Sequence, residues 1–299
     1  MLFAKVILLL YKDSSKLVRN TWLQNAPLNY MKNISITPGK NNVGAYIENI
    51  DLKKLDKNQI SIIKDTLNNF GVIFIKKQNI DSLSYQNFAK LIGELVVYPR
   101  LKGLENFPHI NVIERKPDDR NLTFGSSWLH QDTSYLGDDR PRYTMLMGVD
   151  IPKGQGNTIF SSGFNAYAKL PNEIKDKIKT ATGIFSSSGP IAVTRIEREK
   201  EMGIKTTKNL EAEHSLVKMV NGKETLYISP GHLIKINNVD EIERDYLKNF
   251  LIDHVNKEEF LFSYEWSKGD ICLWDNISIL HKASEIKNCK RVMHRITIK

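Results

Sequence analysis

His130-x-Asp132, followed far downstream by His281 and then Arg291, are the residues whose types and spacing could do chemistry in this chain. Two imidazoles and one carboxylate can occupy one face of an octahedral metal and leave three positions open. That is the donor set expected of non-haem Fe(II) sites that activate O2. In Trp128-Leu129-His130-Gln131-Asp132, the period of two along an extended segment puts His130 and Asp132 on the same side. His281 must then come from a strand or loop folded back beside them. Alone, a His-x-Asp pair reads more readily as a structural hydrogen bond or a surface pair; the second histidine and the arginine give it weight.

His281 follows the apolar run Ile271–Trp274 and then Ser278-Ile279-Leu280, so it sits at the exit of a buried strand. There it can point inward with one ring nitrogen free for a metal. Arg291 lies ten residues later, at the start of the last strand. A guanidinium near the core needs an anion, because an unpaired buried charge is costly. An internal Asp or Glu would serve, and so would a bound carboxylate, whose two oxygens match the planar fork of arginine. Arg295 shares a strand face with Arg291 by the period of two, and two arginines on one face imply one or more anionic ligands. A surface position is the alternative for Arg295. The other histidines, His109, His214, His232, His254 and His294, read as surface or satisfied core groups.

The elements that must position these groups are mostly strands. Ser35–Pro38 and Val43–Ile50 read as short strands, Asn58–Asn69 as a helix ending at Gly71, and Val72–Ile75 as a buried strand. Asp81 caps a second helix with Tyr85, Phe88, Ala89 and Ile92 on one face. From Ile110 onward strands dominate, at Ile110–Ile113, Tyr143–Val149, Thr158–Phe160, Leu216–Val220, Thr225–Ile228, Phe260–Trp266, Ile271–Trp274 and Val292–Ile298. Many short strands with few helices imply a sandwich or barrel rather than a doubly wound sheet. Glu197–Glu213, with closely mixed charges, reads as a solvated surface excursion, with a substrate-ordered lid as the second reading.

A chain of 299 residues suits one large domain with a real core, or at most two small ones. Its 41% hydrophobic and 26% charged residues are those of a soluble globular protein. The net charge of +9 comes from dispersed lysines, without a basic block interleaved with aromatics. That argues against nucleic acid and modestly favours small anionic ligands. Two cysteines, Cys272 and Cys289, form no framework, which fits a reducing, cytoplasmic setting and excludes a thiolate metal site. The apolar run Val6–Leu10 is too short to span a bilayer. Residues 1–30 read as an N-terminal extension, disordered or targeting, and an organellar address stays open; no small-x-small cleavage site favours secretion. The folded domain is expected over 31–299.

With these residues in view, the chain resembles the taurine dioxygenase (TauD/TfdA) family of Fe(II)- and 2-oxoglutarate-dependent oxygenases. The resemblance runs from roughly Met31 to the C-terminus. Its carriers are Ser35-Ile36-Thr37-Pro38, Gly93-Glu94-Leu95, Trp128-Leu129-His130-Gln131-Asp132, Gly156-Asn157-Thr158-Ile159-Phe160, Trp274-Asp275-Asn276, His281, and Arg291-Val292-Met293-His294-Arg295. It implies a mainly β fold with flanking helices, the double-stranded β-helix or jelly roll, as a single dioxygenase domain. It also implies His130, Asp132 and His281 as iron ligands, Thr158 and Arg291 on the distal carboxylate of 2-oxoglutarate, O2 as second cosubstrate, and Arg295 on an anionic group of the primary substrate. The family's habits suggest a homodimer or homotetramer. Some positions depart from the family pattern. Leu129 separates Trp128 from His130, Val96-Val97-Tyr98-Pro99 replaces histidines after Gly-Glu-Leu, and Ser126 or Ser127 stands for an asparagine. These departures place Tyr98 and Ser127 on the substrate side and argue against taurine; the carboxylate at Asp132 argues against halogenation. The outcome, hydroxylation or desaturation of a C–H in a small anionic molecule, stays open. A cupin-like metal-dependent hydrolase or isomerase and a non-catalytic ligand-binding homologue are the rival classes.

Overall fold

The computed structural model describes residues 34–98, 101, 103–120, 123, 125–192 and 209–299. Eight strands lie side by side in one sheet, in the order Ser35–Pro38, Ala45–Glu48, Val72–Ile75, Ile271–Asp275, Tyr143–Asp150, Arg291–Ile298, Phe107–Arg115 and Gly103–Leu104. Leu95–Val96 adds to the same sheet by pairing with Arg291–Ile298. A smaller sheet holds Leu261–Tyr264, Thr158–Ser162 and Ile279–Ala283. Phe74, Leu146, Cys272, Trp274 and Met293 from the large sheet meet Phe160, Tyr264 and Ile279 from the small one in a single buried cluster. The two sheets therefore pack face to face, as in a jelly roll.

Helices flank this sandwich. Lys57–Phe70 starts at a capping box, in which Asp56 accepts from the Gln59 N–H and the Gln59 side chain accepts from the Asp56 N–H. It stops at Gly71, whose φ of 74° suits glycine. Ser82–Ile92 starts where Asp81 accepts from the Ser84 N–H and buries Tyr85, Phe88 and Ala89. A strand-only reading of the second half misses three helices: Gly163–Ala168, Asn172–Ile178 and Arg244–Val255. The last of these buries Leu247, Leu251 and Val255, spaced by four as a helix face requires. They surround a second core cluster with Phe185, Leu216, Tyr227 and Ile236.

Two expected boundaries move for local reasons. The strand expected at Thr225–Ile228 runs instead over Lys223–Leu226. Asn221-Gly222, with φ of 48° and 76°, makes the two-residue turn that pairs Val220 with Lys223. The segment Glu197–Glu213 is not wholly a solvated excursion, because Glu211–Ser215 is a strand paired with Thr182–Ser186. Its charged residues Glu211 and Glu213 point outward while His214 is buried, the alternation of a half-buried strand. Residues 197–208, where the lid reading falls, lie outside the described residues, as do 1–33. Among the described residues no helix is long and apolar enough to cross a membrane.

Candidate active site

His130 and His281 form one antiparallel bridge. The His130 N–H donates to the His281 carbonyl at 3.0 Å, and the His281 N–H donates back at 2.9 Å. Residues that exchange both bonds face each other directly, which is how two distant histidines come together. The exit position expected for His281 is corrected: it lies in the middle of its own strand, Ile279–Ala283, in the smaller sheet. A turn at Asn276–Ser278 carries the chain there, held by the Asp275 carboxylate accepting from the Ile277 N–H. Beyond Asp132 the chain leaves the extended form at Thr133, whose φ is 49°.

The Asp132 Oδ1 lies 3.9 Å from the Nε2 atoms of both His130 and His281. The three donor atoms sit within 4.8 Å of one another, and all three residues are buried. The His130 Nδ1–H donates to the Trp128 carbonyl at 2.9 Å, leaving Nε2 for a ligand role. The His281 ring packs against the Trp274 ring at 4.6 Å. Burial, reinforced by neighbouring His130, pushes the His281 imidazole down to about 3, and burial also lowers that of His130. Both rings are thus neutral at neutral pH, the form that binds metal. Burial by itself would raise the Asp132 carboxyl, but Arg295, His281, His130 and the Thr144 hydroxyl together hold it well below the usual range.

A chain of hydrogen bonds fixes that carboxylate. Thr144 Oγ1 donates to the outer oxygen, Oδ2, at 2.7 Å. Asn276 Nδ2 donates to Thr144 Oγ1 at 2.9 Å, and Trp274 Nε1 donates to Asn276 Oδ1 at 3.0 Å. The intervening Gln131 is pinned as well, its N–H on Ser229 Oγ and its amide on the Ile277 carbonyl. Oδ1 is therefore presented to the histidines while Oδ2 is held away. Thr144→Val keeps the shape and removes the donor. It is expected to weaken Fe(II) binding roughly tenfold to a hundredfold in an anaerobic titration; unchanged binding would show that the chain does not orient Asp132.

Arg291 and Thr158 line the same pocket, with Leu146, Ile113 and Met293 as apolar walls. Arg291 is only 6% exposed, and its Nε and one terminal nitrogen have no hydrogen-bond partner. Burial pushes it down to about 10. Among the described residues no Asp or Glu pairs with it. Gly156, at a φ of 74°, makes room, because a Cβ there would come within 2.8 Å of the arginine stem. A buried guanidinium without an acid, donors aimed into a pocket, is a receptor for an anion.

Arg295 also reaches the pocket, so the two arginines share a face as their spacing requires. One terminal nitrogen lies 3.1 Å from Asp132 Oδ2, although neither it nor Nε makes a directed hydrogen bond. The Tyr98 ring covers the guanidinium at 4.7 Å. Ser127 is exposed and lies outside the pocket lining; its neighbour Ser126 is engaged with Glu285. Of the remaining histidines, His214 and His254 are core groups whose Nε2 atoms donate to the Ser134 and Ala166 carbonyls, although His254 Nδ1 has no partner. His232 is closer to the site than sequence suggests. Its Nδ1 meets Ser134 and Ser229, and its ring stands edge-on to His130 at 5.9 Å. Thr144 carried no sequence signal beyond a hydroxyl in an apolar strand.

Two neutral imidazoles and a carboxylate suit Fe(II), and the unpaired donors of Arg291 suit a dicarboxylate cosubstrate. Known proteins agree. An alkylsulfatase of Acinetobacter baylyi is 27% identical over 86% of this chain and 82% of its own length. An alpha-ketoglutarate-dependent sulfate ester dioxygenase of Pseudomonas putida is 25% identical over 93% of each chain. The crystal structure of a taurine dioxygenase from Burkholderia xenovorans shares the fold, with a TM-score of 0.74 at 24% identity over 89% of both chains. The family model for the taurine catabolism dioxygenase TauD, TfdA family matches residues 35–297. The chain belongs to that family and is an Fe(II)- and 2-oxoglutarate-dependent dioxygenase.

Proposed function

We propose that this enzyme oxidises a small organic sulfate ester at the carbon bearing the ester oxygen, releasing sulfate and an aldehyde. Residues 31–299 act as one catalytic domain. The carrying observation is Arg295, a guanidinium 4% exposed with Nε and a terminal nitrogen not engaged in directed hydrogen bonds. Its charge is already partly matched by Asp132 at 3.1 Å. That leaves it suited to a monoanion such as a sulfate ester rather than to a dianion. The names of the Acinetobacter and Pseudomonas relatives support a sulfate ester; a yeast relative is a sulfonate dioxygenase.

In this reading His130, Asp132 and His281 hold the iron through Nε2, Oδ1 and Nε2. Arg291 and Thr158 take the distal carboxylate of 2-oxoglutarate. When bound, Fe(II) with 2-oxoglutarate and O2 supplies the oxidation that puts one oxygen atom into a substrate C–H and turns the cosubstrate into succinate and CO2. The protein's own part is placement. Arg295 fixes the sulfate, the Tyr98 ring shields that ion pair from water, and the target carbon is thereby set beside the metal. The hydroxylated carbon then carries both a hydroxyl and a sulfate. Its C–O bond to sulfate breaks as the hydroxyl proton is lost, giving aldehyde and hydrogensulfate without another oxidant.

Supplied with Fe(II), 2-oxoglutarate and O2, the protein is expected to form succinate, aldehyde and sulfate in equal amounts from a short alkyl sulfate. Succinate release indifferent to every alkyl sulfate offered would remove the substrate reading while leaving the dioxygenase class intact. Arg295→Ala is expected to raise the KM for the alkyl sulfate by tenfold or more, on ~2 kcal/mol for a buried charge-assisted contact. It should also loosen Fe(II), since Asp132 Oδ2 loses a partner. A variant with unchanged KM would place the substrate anion elsewhere.

A further inference from the structure

We infer that Trp266 sets the direction of the Thr158 hydroxyl and thereby turns its proton toward a carboxylate; this rests on the reading of Thr158 and Arg291 as the 2-oxoglutarate clamp. The Trp266 Nε1–H lies 2.9 Å from Thr158 Oγ1, and both side chains are buried. An indole nitrogen can only donate. The threonine oxygen must therefore accept, and its single proton must leave in another direction. Among the described residues no acceptor takes that proton.

Arg291, on the same pocket, offers an Nε–H and a terminal N–H that are likewise without partners. The subsite then turns donors toward a carboxylate. A hydroxyl free to rotate could aim its proton elsewhere; with one lone pair taken by the indole, its proton is kept off that side and directed at the ligand. Trp266 is positioning, not catalytic, because it touches Thr158 and not the ligand.

The indole is itself immobilised. Its ring stands edge-on to Tyr264 at 5.1 Å. The Tyr264 hydroxyl donates to Asp270 at 3.1 Å, and Asp270 pairs with Lys76 at 2.6 Å. In sequence Trp266 passes as one more apolar residue near a strand end, because an indole used for its N–H looks the same as an indole used for its bulk.

The test is anaerobic titration of 2-oxoglutarate into the Fe(II) protein, followed by the metal-to-ligand charge-transfer band. Trp266→Phe removes the N–H and keeps an aromatic filler. It is expected to weaken 2-oxoglutarate binding about fivefold, the size of one net hydrogen bond. Fe(II) affinity and the KM for the sulfate ester should not move. Thr158→Val should weaken 2-oxoglutarate at least as much, and adding Trp266→Phe to it should change binding less than twofold, since no hydroxyl is left to direct. Unchanged binding in Trp266→Phe, or a full fivefold loss in the Thr158→Val background, would reduce Trp266 to packing. Trp266→Leu, which also lacks a donor, carries the same cycle should the phenylalanine variant not accumulate. A wild-type protein without the charge-transfer signal would overturn the clamp as well; wild-type binding with an indifferent Trp266→Phe overturns this inference alone.

Discussion

Arg291→Ala is expected to weaken 2-oxoglutarate binding by roughly a hundredfold while leaving Fe(II) binding in place. Truncating one partner of a buried, hydrogen-bonded charge pair costs ~2–5 kcal/mol, and ~3 kcal/mol already exceeds a hundredfold. The arginine sits 6% exposed with no acid beside it among the described residues, whereas the other guanidinium of the pocket, Arg295, already lies 3.1 Å from Asp132. Stability should not fall as it does in an ordinary core truncation. Without cosubstrate the guanidinium is a buried charge with unmet donors, and removing it relieves that cost. The thermal midpoint of Arg291→Ala without 2-oxoglutarate should therefore stay close to wild type, although the lost stem leaves space beside Gly156. The rise in midpoint that added 2-oxoglutarate gives the wild type should disappear. Arg291→Lys keeps the charge but not the fork and should fall between the two. Anaerobic titrations and melts with and without cosubstrate decide it; equal cosubstrate affinity in wild type and Arg291→Ala would move the role elsewhere.

How much of this was readable in the sequence depends on the range of the interaction. The pairing of Arg291 with Arg295 on one strand face was legible because side-chain direction along a strand follows a local period of two. His130 and Asp132 were legible as a pair, again by local spacing. Their meeting with His281 was not derivable from spacing, because the bridge between His130 and His281 depends on a turn at Asn276–Ser278 that carries the chain from one sheet to the other. The hydrogen-bond chain from Trp274 through Asn276 and Thr144 to Asp132 was invisible for the same reason. Its members lie on two strands and two turns, and nothing in a threonine within Tyr143–Asp150 distinguishes a carboxylate anchor from a packed hydroxyl. The Arg244–Val255 helix was missed on other grounds: Tyr246, Phe250 and Ile252 add apolar residues beside the Leu247, Leu251 and Val255 face and blur the helical period.

The same geometry separates what Asp132 does for stability from what it does for catalysis. Asp132→Ala is expected to abolish turnover, by a thousandfold or more, and to cost most of the Fe(II) affinity, since Oδ1 is the only anionic donor in the proposed ligand set. It also strips Arg295, at 4% exposure, of its one nearby acid among the described residues. Breaking a buried ion pair from one side costs ~3–5 kcal/mol, so the metal-free variant should melt well below wild type. Asp132→Ala combined with Arg295→Met removes both charges together, and the melting point should recover in large part while activity stays absent. The pH dependence follows from the carboxyl being held below its ordinary value of 3.8. In the metal-free wild type the stabilisation from this pair is complete above that value and fades as pH falls below it, and the double variant should lack this acid-side loss. Calorimetry of the three proteins from neutral pH downward, with succinate formation measured in parallel, separates the two roles. A single variant that keeps its melting point would mean that Arg295 is not held by Asp132, and one that keeps its turnover would remove Asp132 from the metal.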